Sequence, residues 1–566
     1  MNTASEPKGT TGTTWRASTS PSAESRWDWQ NARRIPRPSF PSVILLFLAG
    51  FTAADLPAAE TPRRSNVLRL ARAIDPPTLD PIIAMPVEDV MLIMMLYQPI
   101  VDVQDGPNLF GNGAAGWTVS PDARRFTFHL RPESRFSNGR SIVSADYAFT
   151  LERAANPKTG CPLQGYASGI RGFADFVAGR TNRIAGIATP DPLTLVVELE
   201  RTDPTFLFIL AQMIGFPLPQ EEATQEPDSF RHRSVGNGPY RIASWQRGHQ
   251  IVFDRNPFYA GPLTNRFERV EIMIGGDEST HLMMFERGEL DMANTAGSGV
   301  PLSDLRRLRN DPRWGPLIEV RLGVNTHFIE LNTELAPLDN VKVRQAMNHA
   351  VNKPRCMFAA TQQFVPAGGA LPPSMPGHDP SMRGYPYDPE RARQLLAEAG
   401  LALPLRMTLW HPNDQMARLS AEAIQADLRD VGVEIELKGV FNAQLGGVRS
   451  ERRKTRHLTL TSWNPSPDPR DIIGQHFDGR SMDEESSMNG SFYNNPELNR
   501  LIDAASVSAE PQTRFRLFQQ AERLVVADAP WIFLGYRNLF LLRQPWLKGP
   551  ILEPFGYYRL DRAWRE

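Results

Sequence analysis

VGNGPYRIASWQRGHQIVFDRNPFYAGP, residues Val235 to Pro262, decides how the rest of the chain is read. Its opening, Gly236-Asn237-Gly238-Pro239, predicts a tight turn: glycine tolerates positive φ, and proline lacks the N–H a continuing helix needs. Tyr240, Ile242 and Trp245 suit a short strand, Arg247-Gly248-His249 a hairpin loop, and Ile251-Val252-Phe253 the returning strand. Asn256-Pro257 ends the unit. By hydrophobicity alone, any large soluble protein could carry such a hairpin.

Around it, 566 residues exceed what one core can organise, so two or three domains are expected. Hydrophobic content of 41% and charged content of 22% are those of a soluble globular chain. The 49 prolines and 41 glycines imply many turns rather than a helical bundle. A net charge of −1 offers no basic surplus for nucleic acid. Cys161 and Cys356 are the only cysteines; one bridge or two free thiols are both open, and no disulfide framework is needed.

Residues 1–42 are rich in Ser, Thr, Pro and Arg without a hydrophobic period, which predicts disorder. Arg33, Arg34 and Arg37 precede the apolar run Val43–Ala54 and the small-residue stretch Leu56–Ala59. That is the order of a secretory signal peptide, and the run falls short of the roughly 18 residues of a membrane span. No cysteine follows it, so the expectation is export to the periplasm without a lipid anchor.

Asn66–Ala71 alternates as a strand and leads into Asp75-Pro-Pro-Thr-Leu-Asp-Pro81; Val87–Tyr97 reads as a helix with Met91, Met94 and Met95 as core filler. Gly111-Asn-Gly-Ala-Ala-Gly116 spells a dinucleotide fingerprint, but no helix opens within it, so that reading is rejected. Arg125–Arg131 reads as a strand, Ser144–Arg153 as a helix with Ser144 as its cap, Leu193–Leu199 as a strand and Thr205–Leu210 as a helix. Phe267–Ile274 (a strand), His281–Arg287 (a helix) and Gly288-Glu-Leu-Asp291 follow. In Glu330–Asn352 a strand and loop lead into a helix whose apolar face is Val343, Ala346, Met347 and Ala350. Tyr385–Gly400 is a helix with Asp388 as N-cap, Pro389 at its first position and Gly400 as its stop.

Taken together, the G-x-G-P-Y hairpin ending R-N-P-x-Y, the P-x-x-L-D-P turn, the N-T-x-x-x-P-x-D stretch running into V-R-x-A, and Y-D-P-E-x-A-x-x-L-L-A-E-A-G resemble the family 5 extracellular solute-binding proteins. These are the peptide/nickel-type periplasmic receptors of ABC importers, and the resemblance covers roughly residues 66–566. It implies an α/β chain with the periplasmic-binding-protein type II fold: two lobes, an extra inserted domain, and a ligand cleft between the lobes. The expected division is a leader over 1–59, a discontinuous first domain over 60–104, 236–323 and 530–566, an inserted second domain over 105–235, and a third over 324–529. Two chain crossings would serve as hinges.

Peptide-binding members carry W-x-x-D after a strand, the Asp meeting the ligand's amine. Here Trp463-Asn464-Pro465-Ser466-Pro467-Asp468 departs from that spacing, with Ser466 where the acid is expected. Three readings are open: the pocket carboxylate is missing, Asp468 takes its place, or Asp468 caps the helix suggested by Asp471-Ile-Ile. The resemblance makes Trp463, Asn464, Ser466 and Asp468 candidate ligand residues. Met85 and Glu88, just after the first strand, and His327, in the strand crossing toward the third domain, are further candidates.

No H-E-x-x-H, paired C-x-x-C or G-x-S-x-G occurs, so no catalysis, cofactor or metal is expected. The expected function is capture of a peptide-like or other polar small solute by lobe closure and delivery to an ABC permease, as a monomer. The alternative is a receptor of the same fold for a metal chelate, sugar or opine-like ligand, or a sensory binding protein.

Overall fold

The computed structural model describes residues 66–566 apart from 85–86, 105–107, 226, 262–266, 294–299, 359–363, 442–443, 446–454, 467, 483–487, 509 and 557. The leader and signal-peptide readings, Met85, and the side chain of Glu88 therefore lie outside the described residues. Three larger sheets organise the chain. In the first, Val67–Arg72 pairs in parallel with Arg269–Ile274, which continues antiparallel through Gln250–Arg255 to Tyr240–Gln246. The second is wholly antiparallel, in the order Ala114–Val119, Arg125–Leu130, Thr194–Glu198, Ile187–Asp191. The third has six strands: Phe364–Pro366, Trp531–Leu542, Ile318–Leu331, Leu458–Trp463, Leu405–Pro412 and Val433–Val440.

The hairpin forms where the sequence places it, with Gly248 at φ +70° in its loop. Gly236 and Gly238 are glycines for a different reason from the one expected. Neither has positive φ; a Cβ on them would lie 2.0 and 2.5 Å from backbone atoms at the end of helix Val87–Leu96. Gly238 N–H donates to the Leu96 carbonyl at 2.7 Å, and the Asn237 side chain satisfies both backbone groups of Gln98. The turn is thus a cap on a helix end, which needs close approach rather than left-handed backbone.

Other local readings hold in detail. Asp388 Oδ1 accepts the Arg391 N–H at 2.9 Å, Pro389 opens helix Pro389–Glu398, and Gly400 follows it at φ +70°. Val343, Ala346, Met347 and Ala350 are all buried. Gly116 sits in strand Ala114–Val119, so the glycine fingerprint opens no helix. Ser144 is not a cap: its hydroxyl donates to the Asp191 carbonyl, and Asp146 instead accepts the Val143 N–H at 2.9 Å. Cys161 packs at the edge of the core shared by the first two sheets, whereas Cys356 is buried in a cluster against the third.

The ladders also place the C-terminal strand in the third sheet. Trp531–Tyr536 pairs with Thr326–Glu330 inside the six-stranded sheet. Leu539–Leu542 pairs with Ile318–Arg321, and the ladder loses register between Leu322 and Thr326. Ile318, Phe540 and Leu542 pack into the cluster around Phe285 and Trp314, while Phe328, Ile532 and Phe533 pack into the clusters flanking the third sheet. Two antiparallel strands therefore leave one core and enter another together, with a break in the ladder between.

Candidate functional site

The loop after strand Leu458–Trp463 and the C-terminal segment around Phe555 enclose, with the first and second sheets' elements, a cavity of about 190 Å³. Val90 and Met94 reach it from helix Val87–Leu96, Asp102 and Val103 from the following strand. Leu163, Tyr166 and Ala211–Met213 come from residues inserted between them and the hairpin. Asn464, Pro465 and Ser466 close the opposite side, and Glu553, Phe555 and Arg559 the end.

Its charged wall is internally committed. Arg559 holds Asp102 at 2.8 and 3.2 Å and Asp561 at 2.8 and 2.9 Å, and Arg562 bonds Glu553 at 2.7 Å. Burial pushes the Asp102 carboxyl up, but Arg559, then Arg562, override it and hold the group below the ordinary carboxylate range. A buried acid with this many donors stays ionised and fixed in place. Toward the cavity the wall adds neutral amides: Asn464 Nδ2 donates to the Phe555 carbonyl at 3.3 Å, leaving its oxygen, and the Gln212 side chain has no hydrogen bond among the described residues.

Of the residues singled out from the sequence, Asn464 and Ser466 line this cavity. Trp463 does not; its indole packs edge-on to His476 at 5.1 Å, beside Trp531 and Phe328. Asp468 is turned away into a buried bidentate pair with Arg514, both bonds 2.6 Å, and its Oδ1 accepts the Arg470 N–H at 2.8 Å. It bonds the N–H of the first residue of helix Arg470–Phe477 from outside the helix, whose N-cap is Pro469 with no side-chain cap bond, and both its oxygens are already engaged by Arg514. His327 lies edge-on to Phe364 at 4.4 Å; desolvation, with Arg537 nearby, holds its pKa down at about 3, so the imidazole is neutral. Met94 reverses its reading: Met91 and Met95 are core, but Met94 faces the cavity. Asp102, Gln212, Glu553 and Arg559 had no sequence signal, being ordinary polar residues that only the packing of distant segments brings together.

Residues 109–483 match the family model described as bacterial extracellular solute-binding proteins, family 5 middle. The chain belongs to this family. It is 28% identical over 465 residues to heme-binding protein A of Haemophilus influenzae, covering 78% of this chain and 82% of that one. It is 25% identical over 526 residues to the probable D,D-dipeptide-binding periplasmic protein DdpA of Escherichia coli K12, covering 90% and 95%. Among solved structures it resembles the clavulanic acid biosynthesis oligopeptide binding protein 2, with a TM-score of 0.80 and 25% identity over 89% of this chain and 96% of that one. The family 5 chain thus has the multi-domain type II binding-protein fold, and its role is solute binding. Among the described residues no helix is long and apolar enough to cross a membrane, and no cluster of metal-ligating side chains occurs.

Proposed function

We propose that this family 5 solute-binding protein captures a small peptide-like solute outside the cytoplasm and hands it to an ABC permease, working as a monomer. The observation that carries the reading is the cavity itself. Segments far apart in the chain enclose it, its ionic wall is already paired, and among the described residues the Gln212 amide and the Asn464 amide oxygen remain uncommitted. A desolvated pocket with a few placed amides selects ligands that offer hydrogen-bonding groups, such as peptide bonds. The apolar patch of Val90, Met94, Leu163 and Met213 suits a hydrophobic side chain.

The relatives bearing peptide names support the same reading. The heme-binding relative favours a second one, a non-peptide apolar ligand on the same frame. Asp468 is spent on Arg514, so the amine anchor common in peptide receptors is not supplied from that position.

Native mass spectrometry of whatever co-purifies, followed by calorimetry with a dipeptide panel, tests the proposal. Gln212→Ala and Asn464→Ala are each expected to weaken dipeptide binding about 2- to 12-fold, the value of one neutral hydrogen bond. A panel without any binder, alongside a co-purified tetrapyrrole, would replace the peptide reading by the second.

A further inference from the structure

The segment after Trp463 does more than form a wall of the cavity. Ser466, which lines it, donates its N–H to Asp471 Oδ2 at 2.5 Å. Asp468 is clamped by Arg514, and the same carboxylate holds the Arg470 N–H. The backbone at Arg470 is therefore fixed from two sides before its side chain is considered. From that mount the guanidinium reaches Asp203, Nη1 to Oδ2 at 3.3 Å. Asp203 is equally well held: its Oδ1 accepts the N–H and hydroxyl of Thr205 at 2.9 and 2.6 Å, which leaves Oδ2 for Arg470.

The two residues belong to segments that supply different lining residues of the cavity, Leu163 to Met213 on the one hand and Asn464 to Ser466 on the other. Asp203 lies in the part that carries the second sheet, Arg470 in the part that carries the third. Among the described residues theirs is the only ion pair joining residues 105–235 to residues 324–529. The two strands that run from the cluster around Phe285 and Trp314 into the third sheet lose register between Leu322 and Thr326, where a small rotation of the third-sheet region would separate the partners without breaking a regular ladder.

We infer that Arg470 and Asp203 form a latch that holds the cavity shut, with Asp468 and Arg514 as the positioning pair behind it. The inference rests on the solute-capture reading above. An interaction present only when the walls meet favours the closed population by its own free energy, whatever the ligand. With side-chain exposures of 47% and 20%, the pair has the modest, salt-sensitive strength of a partly exposed ion pair. The departure from W-x-x-D then has a purpose in this chain: the acid is taken from the ligand and used to aim Arg470 across the gap.

The test uses the full chain with Cys161 changed to serine and spin labels on cysteines placed at the exposed positions Arg180 and Glu422. Label–label distance distributions are recorded without ligand and with the dipeptide panel. Asp203→Asn and Arg470→Gln are each expected to lower the ratio of short to long distances about two- to five-fold. The exchanged pair D203R/R470D should restore most of it. Salt at 1 M should act on the wild type as the mutations do and add nothing to Asp203→Asn. Unchanged ratios in the single variants, no recovery in the exchange, or one wild-type distance unmoved by salt would each overturn the latch. Dipeptide binding by the wild type with no effect of these variants sinks the latch alone. A salt- and exchange-sensitive equilibrium in a protein that binds no dipeptide sinks the ligand reading alone.

Discussion

Alanine at Asp468 is expected to destabilise the fold by about 3–5 kcal/mol, seen as a fall in the urea midpoint at unchanged slope. The reason lies in what stays behind. Arg514 is 5% exposed, takes both oxygens of Asp468, and otherwise stacks its guanidinium on Phe518 at 4.9 Å. Removing the acid leaves a buried cation without its counter-charge, which costs more than the pair is worth as a whole. The paired change D468L/R514M should therefore recover most of the loss, because it removes both desolvated charges at similar volume. Single and double variants equally destabilised would mean that the site matters through shape and not through charge. A pocket carboxylate would behave in the opposite way, with Asp468→Ala sparing stability and abolishing binding.

Glu522→Gln is expected to make the protein more stable at neutral and alkaline pH while leaving it nearly unchanged below pH 4.5. Glu522 is fully buried; its Oε1 accepts the Leu371 N–H at 2.7 Å, and its Oε2 has no partner. Desolvation, with a smaller push from Asp379 against the opposing Arg523, raises its pKa to about 7. The folded protein thus binds this proton more tightly than the unfolded chain does. The sign follows: the group costs nothing below the unfolded value near 4.5, the cost grows as pH rises toward 7, and it is complete above. At one pH unit per 1.36 kcal/mol the full penalty is on the order of 3 kcal/mol. Glutamine copies the neutral acid's shape and its donor, so the variant should lose this part of the pH dependence. Parallel stability-against-pH curves between pH 4.5 and 8 for the two proteins would show that Glu522 does not titrate as described.

Both expectations concern residues whose environment no local pattern announces, and the same contrast runs through the molecule. Helix Pro389–Glu398 was legible because its cap, its first proline and its stopping glycine are neighbours in sequence. The hairpin was legible through its alternation, yet the reason for Gly236 and Gly238 was not, since the carbonyl they make room for is Leu96, far back in the chain. Family membership was readable from several such local blocks in a fixed order. At the site, Asn464 and Ser466 were found through their nearness to Trp463, whereas Asp102, Gln212 and Arg559 were not.

Composition, turn chemistry and periodicity determined by themselves that this is a mixed α/β chain of several domains, because those signals act over a few residues; the type II fold was implied by the resemblance of its local blocks to family 5. Tertiary structure alone decided where the carboxylate of Asp468 points, which methionine meets the cavity, and that Trp531–Tyr536 joins the third sheet. Burial, counter-charge and strand partner are properties of residues brought together across hundreds of positions, and a linear pattern carries no record of who the neighbour will be.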